Sequence, residues 1–172
     1  KNQETSEKAS IVVTGGTFLN GDKTVNTGAE KFFPENSSLT IDPGTGKVVT
    51  DDGSTVAEVG GVPYKSLQAA IEAAASKATV KLRADVTESI TIPKGKEIVL
   101  DLNGKKLVNS NVPQNNTAAD NDRKHTITNN GTLTIIDSAG NGQVDNVSHG
   151  RTALYNEVGA TATLNGGTYT RS

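Results

Sequence analysis

The chain has no cysteine, methionine or tryptophan, three tyrosines, three phenylalanines, and no apolar run long enough to cross a membrane as a helix. Without cysteine there is neither a disulfide framework nor a thiolate metal site. Only 33% of residues are hydrophobic, too few for a helical bundle or for an α/β enzyme with long Val/Ile strands. The 17 basic residues are dispersed, and the net charge is −2. Phosphate recognition needs clustered cations, so nucleic acid is excluded as an expected partner. The chain opens at Lys1 with no signal peptide in view, as a mature or excised piece of a longer protein would.

Glycine, threonine and asparagine are abundant instead, the composition of many short strands joined by polar turns. Residues 1–10 have no apolar period and form a polar lead-in. Ile11-Val12-Val13-Thr14, ending at Gly15-Gly16, predicts a short strand and a tight turn. Ser38–Ile41 and Lys47–Thr50 flank Asp-Pro-Gly-Thr-Gly and predict a β-hairpin within a small connecting module, residues 20–61. One helix is predicted at about 66–75: Ser66 is a suitable N-cap, and Leu67, Ala70, Ile71 and Ala74 make one apolar face. Alternating strands follow around Val80–Leu82, Ile90–Ile92, Ile98–Leu102 and Leu107–Val108. Residues 109–124 contain almost nothing to anchor a core and predict an exposed loop.

Two internal repeats organise the chain. The stretch from Thr126 to Asp137 shares its outline with that from Ala153 to Gly167; aligning Gly131 with Gly159 gives a unit of 28 residues. Stacked units of short strands form a β-solenoid, in which Ile127, Leu133, Ile135, Leu154 and Leu164 would stack inward. A longer echo relates ASIVVTGGTF to TATLNGGTYT, with Val13 matching Leu164 and Phe18 matching Tyr169 at an offset of 151. It points to a tandem array in the parent protein.

Residues 62–107, from VPYKSLQAAIEAAASKATVKL through ITIPKGK to LDLNGKKL, resemble the start of pectin-lyase-like β-helix domains of large bacterial surface proteins of the Firmicutes type. The later GTLTIIDSAGNG and NGGTYT are similar to the coils that follow in that family. The resemblance covers about 62–170. It implies an all-β fold: a right-handed single-stranded parallel β-helix over 62–172, plugged by a capping helix at about 66–75. Residues 1–61 would be a lead-in strand plus a β-hairpin module before it. The function implied is a non-enzymatic structural or adhesive module, secreted or at the cell surface. Glycans or a host surface are its expected partners, with head-to-tail self-association through the coil at 160–172. The alternative is a fragment of a polysaccharide lyase or glycosidase, and a trimeric tail-spike-like piece is third.

Candidate site residues follow from chemistry. A lyase needs clustered acids with a base, which directs attention to Asp101, Asp137 and Asp145 with His149 and Arg151; each also reads simply as a turn former or solvated group. No cofactor is expected, and calcium would use Asp120 and Asp122, or Asp51 and Asp52, although neither stretch has the EF-hand spacing. His125 and His149 lack a metal-binding frame. Tyr155 and Tyr169, with Arg151, are the candidates for a glycan platform; Tyr64, Phe18, Phe32 and Phe33 are better suited to packing.

Overall fold

Short apolar triplets separated by Asn, Asp and Gly cannot extend into long strands, and the chain instead changes direction every few residues. A computed structural model of the chain describes residues 11–50, 53–109 and 123–172. Its described part is mostly β, arranged chiefly in parallel sheets. β1 (Leu39–Ile41) and β2 (Val48–Thr50) form the predicted antiparallel hairpin, with Leu39 opposite Thr50. Its turn is held by Asp42, whose carboxylate accepts the Gly44 and Thr45 amides. A 3-10 helix, Thr27–Phe32, packs beside it. Ile41, Val48 and Ala29 make a small separate core with Val13, Phe18, Val25, Phe33 and Leu39.

A second hairpin, β3 (Ala57–Val59) and β4 (Val62–Tyr64), turns at Gly60-Gly61 and joins the main sheet through β3. The helix α1 (Leu67–Ala73) follows, with Ser66 accepting the Ala69 amide and Leu67, Ala70 and Ile71 buried. Three circuits then run in order. The first is β5 (Ala78–Leu82), β6 (Val86–Thr87) and β7 (Ile90–Ile92); the second β8 (Glu97–Asp101), β9 (Lys106–Val108) and β10 (Ile127–Asn129). The third is β11 (Thr132–Ile136), β12 (Gln143–Asn146) and β13 (Leu154–Asn156), and β14 (Thr161–Leu164) and β15 (Thr168–Arg171) begin a fourth. Each circuit adds one parallel strand to each of three sheets. The first sheet runs β14-β11-β8-β5-β3-β4, the second β15-β12-β9-β6, the third β13-β10-β7, and none closes on itself.

Because register is parallel and nearly unshifted, inward side chains stand in files. Val80, Leu100, Ile135 and Leu164 form one, Val86, Leu107, Val144 and Tyr169 another, and Ile90, Ile127 and Leu154 a third. The core they build is continuous and is covered at the first circuit by α1 and the β3–β4 hairpin.

Four expectations are corrected. Residues 11–14 are in no strand; the Val13 amide instead donates to the Phe32 carbonyl, because the segment is drawn onto the small core rather than a sheet. Asn109 is buried rather than the start of an exposed loop: its side chain bonds Ser148 and the Val147 amide, while residues 110–122 lie outside the described part. The repeat is not a uniform 28 residues. Thr132 faces Thr161, Val144 faces Tyr169 and Ile127 faces Leu154, so the spacing differs on each sheet with the lengths of the turns between. The two aligned glycines do different work, Gly131 admitting the Pro93 and Lys96 carbonyls where a Cβ would stand, and Gly159 holding a φ of 85°. Leu164 points along its file but is 47% exposed, since no later described strand packs over it.

Candidate functional site

The corner between the first and second sheets collects acids at the ends of successive strands, as the sequence suggested, but each is spent on backbone. Asp101, ending β8, accepts the amides of Asn103 and Ser138 and the Ser138 hydroxyl, with Lys81 Nζ at 3.9 Å. Asp137, just past β11, accepts the Gly104 amide at 2.7 Å and the Gly142 amide at 2.6 Å. Each carboxylate thus stitches its own turn to that of a neighbouring circuit. Burial raises the affinity of Asp101 for its proton, but the Ser138 and Asn103 hydrogen bonds and the Lys81 charge outweigh it and hold the carboxyl below its ordinary value.

Asp145 lies on β12 and is almost fully buried. It accepts hydrogen bonds from the Thr170 hydroxyl and from Ser172, and Lys106 Nζ stands at 3.2 Å. Burial would raise this carboxyl too; the bonds from Thr170 and Ser172 and the Lys106 ammonium prevail and lower it. Beside it, Asn146, Thr126, Ser148 and Asn109 form a buried polar network that ties Lys124 and Asn109 to the third circuit.

On the third sheet the side chains are freer to meet a ligand. His125, just before β10, stacks on Tyr155 of β13, ring centroids 4.5 Å apart and planes 15° from parallel. Register puts Thr128 opposite Tyr155, and His125 reaches that ring from the segment ahead of β10, where it lies level with Thr152. His125 Nδ1 accepts the Thr152 amide at 3.0 Å, which leaves the proton of the neutral ring on Nε2. Burial and then the Arg151 guanidinium push the imidazole below its ordinary value, so the ring is predominantly neutral at physiological pH. Arg151 Nε donates to the Arg123 carbonyl at 3.3 Å. Tyr155 remains 43% exposed.

Of the sequence candidates, the structure stacks Tyr155 on His125, whose imidazole also feels the Arg151 charge, and sends Tyr169 elsewhere. Tyr169 is on the second sheet, packed against the core, its hydroxyl donating to the Gly166 carbonyl; burial and the nearby Asp137 charge push it up to about 12. It therefore shares no face with Tyr155. His125, assigned only to the surface from sequence, is the residue that reading missed, and the available signal was its place immediately ahead of the repeated stretch that starts at Thr126. His149 sits in the turn after β12. Tyr64 is buried, and Phe18 and Phe33 pack in the small core, while Lys31 Nζ lies 5.0 Å from the Phe32 ring centre. Asp51, Asp52, Asp120 and Asp122 lie outside the described residues. Among the described residues no three His, Asp or Glu side chains converge to hold a metal, and no helix is long and apolar enough to cross a membrane.

A shallow groove of about 600 Å³ runs along the corner between the third and first sheets, lined among others by Lys94, Glu97, Asn130, Thr132 and Glu157. Its acids are not paired with a base in a catalytic arrangement: Glu97 has Lys77 Nζ at 3.9 Å, and Glu157 lies in the β13–β14 turn. No family model, curated protein or solved structure matches the chain.

Proposed function

We propose that residues 62–172 are a right-handed single-stranded parallel β-helix of the pectin-lyase-like kind. In this reading the chain is a non-enzymatic structural and adhesive module of a secreted or cell-surface protein. The observation that carries the reading is the use of the acids. Asp101, Asp137 and Asp145, the three a polysaccharide lyase would need free, each accept two or more hydrogen bonds, at least one of them from a neighbouring circuit. A carboxylate so engaged is scaffold, and abstracting a proton or binding a cation would cost those bonds.

The adhesive surface is the His125–Tyr155 pair beside Arg151. A sugar offers a C–H face to an aromatic ring and hydroxyls to a guanidinium. The imidazole fixes the Tyr155 ring from one side and leaves the other outward. The test is a glycan-array screen of the whole chain, with and without Ca2+, followed by product analysis on any polysaccharide retained. Binding without cleavage that falls about tenfold or more in Tyr155→Ala is expected. Cleavage would overturn the non-enzymatic reading, and binding indifferent to Tyr155 would overturn the site.

A further inference from the structure

Residues 11–19 and 162–170 share an outline at a constant offset of 151, and the backbones of their Gly-Gly-Thr turns agree as well. The second glycine of each Gly-Gly-Thr is left-handed, Gly16 at φ 113° and Gly167 at φ 80°. In both, the aromatic two residues later folds back over the turn. The Phe18 ring lies 3.3 Å from where a Gly16 Cβ would stand, and the Tyr169 hydroxyl bonds the Gly166 carbonyl.

The hydrogen bonds of the two segments are complementary in phase. In the first, Val13 N donates to Phe32 O, Gly16 O accepts from Val48 N, Phe18 N donates to Gly46 O and Phe18 O accepts from Asn26 N. All four partners belong to the module at 20–50. In the second, the amides of Thr161, Asn165, Thr168 and Ser172 donate to Gly131, Ile135, Gly142 and Asn146 of the third circuit. Backbone groups alternate along a strand, and the two ends of a trans peptide point oppositely. Leu164 N, Gly167 O and both groups of Tyr169 therefore face away from the third circuit, at the edge where the first and second sheets end. Subtracting the offset, these are residues 13, 16 and 18, the ones that hold the module. Leu164, the counterpart of half-buried Val13, is 47% exposed.

We infer that the free edge of β14 and β15 is a docking site for a second copy of the 20–50 module, joined in tandem after Ser172, the counterpart of Gly21. The module would lay its β2 strand and its Ile41 and Val48 core on Leu164 and Tyr169 as it does on Val13 and Phe18. Adding it would cap an edge that is unpaired among the described residues. The inference rests on the coil-stack reading above.

The test appends residues 22–50 to Ser172 of the full chain. A control carries Ile41→Asp and Val48→Asp in the appended copy only, and amide exchange is read by mass spectrometry. Exchange across 161–171 should slow about tenfold or more in the fusion relative to the control and the unfused chain. Equal exchange in fusion and control would overturn the docking. The β8 and β11 amides report separately: slow exchange there in all three proteins upholds the stack, and rapid exchange there would fault that reading instead.

Discussion

Burial by itself makes a carboxylate easier to protonate, yet Asp145, 1% exposed, is shifted the other way because Thr170, Ser172 and Lys106 all favour its charged form. Its folded pKa lies below the unfolded value of about 3.9, so its contribution is fully present above that value and is lost as pH falls through the folded one. Thermal unfolding between about pH 2 and 6 should therefore show a steep acid loss of stability that is shallower in Asp145→Asn. An acid limb of the same slope in both proteins would remove Asp145 from that role. From sequence, Asp145 read more simply as a turn former or solvated group than as a catalytic acid. The deciding partners, Thr170 and Ser172, lie 25 and 27 residues on, and only stacking brings them to it. His125 and Tyr155 illustrate the same point, since two rings in different circuits meet only once register is set.

The seven-residue helix α1 is too short to persist alone. Ser66 and the apolar spacing were legible because capping and helical periodicity are local. Glu88 was not: its carboxylate accepts the Leu67 and Gln68 amides and the Ser66 hydroxyl from 20 to 22 residues away. Gln68 in turn bonds both the amide and the carbonyl of Thr91, so a side chain serves the edge of β7 as another strand would. Glu88→Ala should destabilise the protein by about 2–3 kcal/mol in denaturant titration and speed exchange of the Leu67 and Gln68 amides. Stability within about 0.5 kcal/mol of the parent would show that packing of Leu67 and Ile71 alone holds the helix. At this scale the strands around Val80–Leu82, Ile90–Ile92, Ile98–Leu102 and Ile127–Ile136 were readable from their apolar alternation, whereas β6, with two residues, and the β3–β4 hairpin were not. Their identity comes from the neighbours they pair with.

Across the whole molecule, equivalent residues differ in worth according to what stands on either side. Ile135 is sandwiched between Leu100 and Leu164 and wholly buried, while Leu164 has Ile135 on one side and is half exposed. Ile135→Ala should cost about 3–4 kcal/mol, with a cavity left in the file, and Leu164→Ala about 1 kcal/mol, both read from denaturant midpoints at constant slope. Equal losses would mean that the fourth tier is covered as fully as the third. The same asymmetry is what makes the β14–β15 edge available for docking.

Local chemistry settled much from the sequence alone: the short strands, the Asp42 turn, the Ser66 cap, the inward Ile and Leu positions and the echo of Gly-Gly-Thr. These depend on backbone propensity and on periods of two or 3.6 residues, which act over a few neighbours. Tertiary structure decided the unequal spacing of the circuits, the scaffold role of the acids, the inward turn of Tyr169 and the meeting of His125 with Tyr155. Those depend on which residues face one another at separations of 20 to 37 along the chain, a distance set by turn lengths that no local period encodes.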